Sequence, residues 1–226
     1  MRTRVKTAKG RKLSSTRWLE RQLNDPYVAA AQKDGYRSRA AYKIIEIDDR
    51  FKFLKPQARI IDLGSAPGGW AQVAAQRIGT GGKNGKGSVT AIDMQAMQAL
   101  AGVTFCQLDF MDDAAPQLIE NLVGGQVDFV MSDMAAPVTG HRQTDHLRTI
   151  VLVEAAAHFA FGILKPGGGF CAKVFQGGTS GDILRELKSR FDKVQHIKPK
   201  ASRKESAELY VIALGFKGDR DAPPPS

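Results

Sequence analysis

From residue 58 onward the chain alternates short apolar runs with amphipathic stretches, and few folds accept that order. Candidate strands fall at 58–65, 88–93, 103–109, 127–133, 169–175, 194–197 and 209–216. Helical patterns lie between them at 69–78, 114–122, 145–164 and 180–191, with Lys165-Pro166-Gly167-Gly168 closing the third. Strand and helix in repeated succession predict an α/β fold, a doubly wound and mostly parallel seven-stranded sheet. The last two strands have only residues 198–207 between them. A parallel crossover needs roughly a dozen residues or more, so this pair is expected to form an antiparallel hairpin at the edge of the sheet. Ahead of the first strand, 38–53 reads as a further helix, with Ile44, Ile45, Ile47 and Phe51 available to pack on the sheet.

Charge is distributed unevenly over this framework. The 226 residues, enough for one substantial domain, carry 33 Lys/Arg against 23 Asp/Glu, a formal net of +10. Residues 1–43 hold 12 basic and 3 acidic side chains, a net of +9, and residues 185–204 hold eight basic ones against Glu186 and Asp192, a net of +6. Two separated basic stretches imply an extended polyanion such as nucleic acid, with solvated surface charge as the plain alternative. Residues 1–15 and the tail 218–226, which has three consecutive prolines, read as mobile. A basic, acid-poor N-terminus also fits an organelle transit peptide, but Trp18, Leu19, Glu20, Leu23, Asp25 and Pro26 lead into folded-looking sequence. Cys106 and Cys171 lie in apolar runs and read as buried free thiols. His141 and His146 are five apart and His158 and His196 stand alone, so no metal site is expected. No run approaches the roughly 20 apolar residues of a membrane span, and no membrane partner is expected.

In a doubly wound sheet, ligands bind beyond the carboxyl ends of the strands, where strand order reverses. The first strand ends in Asp62-Leu63-Gly64-Ser65-Ala66-Pro67-Gly68-Gly69-Trp70 and feeds directly into a helix. Taken alone, such a loop is equally a tight packing turn. It is not the dinucleotide fingerprint, which needs glycine where Ala66 stands, and this weighs against a nicotinamide-dependent oxidoreductase. Asp93 at the end of the second strand can accept both hydroxyls of a ribose, and Asp109 at the third can reach an adenine amino group. Acids at three successive strand ends have the geometry of an adenosine pocket. The composite resembles the class I, Rossmann-like S-adenosylmethionine-dependent methyltransferases.

Three further strand ends carry ionisable groups: Ser132-Asp133-Met134, Ala172-Lys173-Val174 and Ala207-Glu208-Leu209. A lysine between apolar residues of a core strand is costly unless paired, which makes Lys173 the most informative residue in the chain. Lys43, in an already basic segment, would pass for surface charge. Methyl transfer is an in-line displacement that needs an oriented acceptor and the management of one proton. A ribose hydroxyl becomes nucleophilic when a positioned base takes its proton, and a lysine with a second cation nearby can be that base. Nearby acids favour an ammonium, so Asp133 and Glu208 read as orienting groups or proton partners. Methylation of an exocyclic base nitrogen usually comes with two prolines and an aromatic after the fourth strand, which Asp133-Met134-Ala135-Ala136 lacks. Attack on a base carbon needs a loop cysteine, and both cysteines fall in strands.

Lys43, Asp133, Lys173 and Glu208, in the contexts SRAAYK, SDMAAP, AKVFQG and SAELY, resemble the K-D-K-E tetrad of the FtsJ (RlmE) family of RNA ribose 2′-O-methyltransferases, and DLGSAPGGW is nearly that family's cofactor loop. The likeness runs from about residue 15 to 216. It implies that Lys43, Asp133, Lys173 and Glu208 are catalytic, with Lys173 the proton acceptor. It implies that Gly64, Pro67, Gly68, Trp70, Asp93, Asp109 and Asp133 contact S-adenosyl-L-methionine, with no metal. The expected organisation is a basic, partly mobile RNA-binding extension at 1–35, a methyltransferase domain at 36–217 and a disordered tail at 218–226. The expected reaction is 2′-O-methylation of a uridine in 23S ribosomal RNA on the assembled 50S subunit, by a cytoplasmic monomer. The alternative is a non-catalytic RNA-binding ribosome-assembly factor on the same fold. Departures from the family pattern are a longer glycine-lysine turn at 79–87 and Ala136-Pro137-Val138, where close relatives carry proline and asparagine after Met-Ala.

Overall fold

The computed structural model describes residues 13–80, 87–136, 139–175 and 181–218. Three helices come first, α1 (Leu13–Leu23), α2 (Pro26–Asp34) and α3 (Ala41–Phe51). Then follow β1 (Arg59–Leu63), α4 (Gly69–Ile78), β2 (Ser88–Asp93), β3 (Val103–Gln107), α5 (Ala115–Val123), β4 (Val127–Ser132), α6 (Arg142–Ile163), β5 (Leu164–Phe175), α7 (Gly181–Arg190), β6 (Phe191–Ile197) and β7 (Glu208–Phe216). The strands form one sheet in the order β3-β2-β1-β4-β5-β7-β6. All pairings are parallel except those of β7, which runs antiparallel to both β5 and β6. The expected terminal hairpin is present, with β6 outermost and β7 inserted beside β5. Strand order reverses between β1 and β4, which places a ligand crevice at their carboxyl ends.

Each face of the sheet has its own core. Ile61, Leu63, Phe170, Ala172 and Val174 pack toward α5, α6 and α7, while Ile60, Phe129, Met131, Cys171 and Tyr210 pack with Ile44 and Ile47 of α3 and Trp70 of α4. Successive strand residues point to opposite faces, so Lys173 shares the α3 face with Cys171. Its partner across the β5–β7 pairing is Tyr210.

Four expectations change. The N-terminal extension, read without elements, contains α1 and α2. Asp25 starts α2 by accepting from Tyr27 N at 3.0 Å ahead of Pro26, an N-cap followed by a proline in the first helical turn. The Lys165-Pro166-Gly167-Gly168 segment does not end a helix in a loop, because β5 starts directly at Leu164 and runs through it. The β4–β5 register shifts between Val127 and Phe129, and a Cβ at Gly168 would stand 2.8 Å from Lys165 O, so the irregularity absorbs the proline and glycines. Cys106 is only partly buried, whereas Cys171 is fully buried. Finally, Thr144–Ile163 within α6 is long and apolar enough, at mean hydropathy 1.2, to cross a membrane by length and composition. It lies on β4 and β5 through Val153, Ala156, Ala157, Ala160 and Ile163, the arrangement of a core helix.

The N-terminal helices are joined to the β6–β7 connection. Asp25 Oδ2 pairs with Arg39 Nε at 2.9 Å and Arg203 Nε at 3.1 Å. Glu46 accepts from Lys200 N at 2.5 Å and Ala201 N at 2.9 Å. Parts of the two basic stretches, far apart in sequence, thereby meet. Residues 1–12 of the expected mobile arm, 81–86 of the long turn, Pro137, Val138, Gln176, Gly177 and 219–226 lie outside the described residues.

Candidate active site

A cleft of about 240 Å³ opens at the carboxyl ends of β1, β2 and β4, lined by Gly64, Ala66, Asp93, Asp109, Asp133 and Met134 among others. Asp93 ties its walls together, with Oδ2 accepting from Ala66 N at 2.8 Å and Oδ1 from Gln95 N at 2.7 Å. Asp109 Oδ1 accepts from Met111 N at 3.0 Å. Gly64 has φ 75°, and a Cβ there would stand 2.7 Å from Met134 Cγ, so glycine lets the chain after β4 close against the loop after β1.

Beside the cleft four charged side chains converge. Lys173 Nζ donates to Asp133 O at 2.5 Å and lies 3.2 Å from Asp133 Oδ1. Lys43 Nζ lies 2.8 Å from Glu208 Oε1 and 4.0 Å from Asp133 Oδ2. Tyr210 links the group, accepting from Lys43 Nζ at 3.1 Å and donating from Oη to Asp133 Oδ1 at 2.8 Å. Glu208 Oε1 also accepts from Ser202 Oγ at 2.9 Å. Lys43 and Lys173 are both buried, and two carboxylates balance two ammoniums, which is how buried charge is tolerated. Burial alone would raise Asp133. The ammoniums of Lys173 and Lys43, with the hydrogen bonds from Tyr210 and Lys173, outweigh it and hold the carboxyl below its usual range. Burial and the charge of Asp133 push the Tyr210 phenol well above its usual value and raise the Cys171 thiol as well, so neither ionises near neutrality.

Asp62 is fully buried, and neither carboxyl oxygen makes a well-formed hydrogen bond. Burial, reinforced by Asp133, pushes it well above the usual carboxylate range, and the Ala71 amide in the first turn of α4 offsets only part of that. The arrangement is therefore a ligand cleft with acids on its rim, joined through Asp133 to the buried amino group of Lys173.

The family model for FtsJ-like methyltransferases matches residues 36–216. The chain belongs to the FtsJ-like methyltransferase family. Ribosomal RNA large subunit methyltransferase E of Rhodopseudomonas palustris (strain BisA53) is 60% identical over 218 residues, 96% of this chain and 92% of the relative. The protein of the same name from Jannaschia sp. (strain CCS1) is 57% identical over 225 residues, 98% and 95% of the two chains. A crystal structure described as a ribosomal RNA methyltransferase from Plasmodium falciparum superposes with a TM-score of 0.69 at 33% identity, covering 81% of this chain and 100% of that one.

Within this family fold, the four residues expected to be catalytic come together from α3, the end of β4, β5 and β7. Of the residues expected to contact the cofactor, Gly64, Asp93, Asp109 and Asp133 line the cleft. Pro67, Gly68 and Trp70 stand apart from that lining. Trp70 is buried, its Nε1 donates to Ala40 O at 2.9 Å, and its ring lies 5.5 Å from that of Tyr210. It supports the site from the core side. Asp62, the third of the acids at strand ends, is fully buried in β1 and does not line the cleft. Tyr210, which bridges Lys43 and Asp133, is the member of this group that sequence reasoning passed over. Its signal was available: in a strand, positions two apart share a face, so Tyr210 accompanies Glu208.

Proposed function

We propose that the chain transfers a methyl group from S-adenosylmethionine to the ribose 2′-hydroxyl of a uridine in 23S ribosomal RNA, with the assembled large ribosomal subunit as substrate. One observation carries the reading: Asp133 lines the cleft and also anchors the Nζ of Lys173. A donor held in the cleft therefore reacts within reach of a proton acceptor. The substrate class follows relatives named for large-subunit ribosomal RNA, and the net charge of +10 suits a polyanion.

The cleft fits the donor. Asp93 keeps lone pairs for ribose hydroxyls beyond the two amides it binds, and Ile92, Leu108 and Phe110 offer apolar wall to an adenine. When bound, S-adenosylmethionine supplies an electrophilic methyl group on a sulfonium sulfur. Lys173, after giving its own proton to solvent, would take the proton of the 2′-hydroxyl as that oxygen bonds to the methyl carbon and the carbon–sulfur bond breaks, with S-adenosylhomocysteine leaving as the neutral thioether. The resulting ammonium already has two acceptors, Asp133 O and Oδ1, at 2.5 and 3.2 Å. Glu208 and Tyr210 pin Lys43, whose charge keeps Asp133 ionised. The proton then leaves Lys173 for solvent. The same reading has the protein acting as a monomer in the cytoplasm, which sedimentation and fractionation test.

The decisive experiment offers labelled donor and undermethylated 50S subunits to wild type and to Lys173→Ala, and maps the 2′-O-methyl position. Loss of a positioned base lowers transfer by about 10²–10⁴-fold, with calorimetric affinity for the donor unchanged. Full turnover by the variant would overturn the role of Lys173. RNA binding by wild type without any transfer would point to the non-catalytic assembly factor instead.

A further inference from the structure

Arg37, between α2 and α3, belongs by sequence to the basic stretch expected to grip RNA, yet its guanidinium is turned inward onto backbone. Nη1 donates to Gln98 O at 2.7 Å and to Pro67 O at 3.5 Å, and Nη2 donates to Ala99 O at 2.5 Å. Pro67 lies in the loop after β1, and Gln98 and Ala99 lie in the loop between β2 and β3. The near ends of these two loops, Gly64 and Ala66 on one and Asp93 to Gln95 on the other, form the cleft wall. Asp93 joins the loops on the cleft side. Arg37 joins the same two loops on the far side.

The Arg37 side chain also covers Gly68. A Cβ at that glycine, where φ is 107°, would stand 3.1 Å from Arg37 Cδ and Nη1 and 2.8 Å from Met97 Sδ. The arginine is itself held at its backbone: Arg37 N donates to Gln72 Oε1 at 3.0 Å, and Gln72 Nε2 donates to Gly35 O at 2.8 Å. A planar guanidinium can span carbonyls on two segments at once, which a lysine's single ammonium does poorly.

We propose that Arg37 is a positioning residue for the methyl donor, an external clamp by which the N-terminal segment holds the two donor-binding loops in their binding conformation. The inference rests on the reading of the cleft as the S-adenosylmethionine site. Without the clamp, the donor must order the loops itself on binding, and affinity falls by that amount. Turnover of donor already bound depends on Lys173 and Asp133, which Arg37 does not touch.

The test compares full-length wild type, Arg37→Lys and Arg37→Ala by calorimetry with S-adenosylmethionine, by steady-state methyl transfer and by RNA binding. Arg37→Ala should weaken donor affinity about tenfold, the loss of one charge-assisted bond in effect, and raise the donor KM with kcat nearly unchanged. Arg37→Lys should fall between the two. Gln72→Ala, which loosens the backbone of Arg37, should shift donor affinity the same way by less, and it serves if Arg37→Ala does not fold. Unchanged donor affinity with weakened RNA binding would overturn the proposal and make Arg37 a phosphate contact. Equal losses in the lysine and alanine variants, with kcat falling alongside, would overturn it in favour of a general structural role. If wild type itself bound no S-adenosylmethionine, the reading of the cleft would fail first and the clamp with it.

Discussion

Tyr210 sits among four charged groups without carrying charge. Removing its hydroxyl takes a donor from Asp133 and an acceptor from buried Lys43. Tyr210→Phe is expected to cost roughly 1–2 kcal/mol of stability and to lower methyl transfer about tenfold, a change near 1.4 kcal/mol in the barrier. Its pH signature has a definite sign. Asp133 is held below its ordinary value, so its contribution to stability is complete above the unfolded carboxylate value near ~4 and is lost as pH falls through the lower folded value. The variant relaxes that depression, so acid unfolding followed by circular dichroism should begin at a higher pH. An unmoved acid limb would show that Tyr210 does not sustain the Asp133 charge. Asp62 has the opposite sign: its folded value is raised, so the folded state binds the extra proton and stability falls as pH climbs above the unfolded value. Asp62→Asn has no such titration. The Tm difference, variant minus wild type, should therefore grow from pH 5 to pH 8, and parallel profiles would mean that Asp62 is ionised in the fold.

At the scale of elements, the junction of α2 with the β6–β7 connection depends on one carboxylate. Asp25 caps α2 and pairs with Arg39 and Arg203. Asp25→Ala removes the cap and leaves two partly buried guanidiniums short of a partner. A loss of about 2–3 kcal/mol in denaturant unfolding is expected, and a loss below about 0.5 kcal/mol would show the junction to be held otherwise. The same element shows where sequence reading stopped. The strand–helix succession and the span of α4 follow from apolar periodicity, and β1 is marked by Ile60, Ile61 and Leu63 even though Asp62 interrupts the run. In α1 the charged Arg17, Glu20 and Arg21 interrupt the apolar pattern, and α2, nine residues with three consecutive alanines, is too short and weakly apolar to show one, although Asp25-Pro26 is itself a helix-start signal. Lys173 stood out because a lysine in a core strand demands partners, whereas Lys43 would pass for surface charge and joined the tetrad only through the family resemblance. The burial of the Trp70 ring was not legible, because an aromatic beside a glycine-rich loop suits the core as well as a ligand, and packing against Ala40 and Tyr210 places the ring in the core.

At the scale of the whole molecule, the proposed function divides the basic residues between two tasks. Residues 1–12 include Arg2, Arg4, Lys6, Lys9, Arg11 and Lys12, while Lys43 and Lys173 are neutralised in the site. Each phosphate neutralised on single-stranded RNA adds a slope of roughly 0.7 to log K against log salt. Deleting residues 1–12 should therefore flatten that slope by up to about 4 and leave donor affinity unchanged, measured by filter binding and calorimetry. A matching loss of donor affinity would show those residues to support the fold. The placement of β7 has a consequence for synthesis. It is the last strand of the sheet to be made, yet it sits between β5 and β6 and supplies Glu208 and Tyr210, which meet Lys43 across 165 and 167 positions of chain. All residues that line the cleft have been made once residue 152 has emerged, because the lining spans Gly64 to Leu152. The proton-handling half waits for residue 210. On the proposed reading, a nascent chain emerges with every residue of the donor's place well before it has the means of transferring the methyl group.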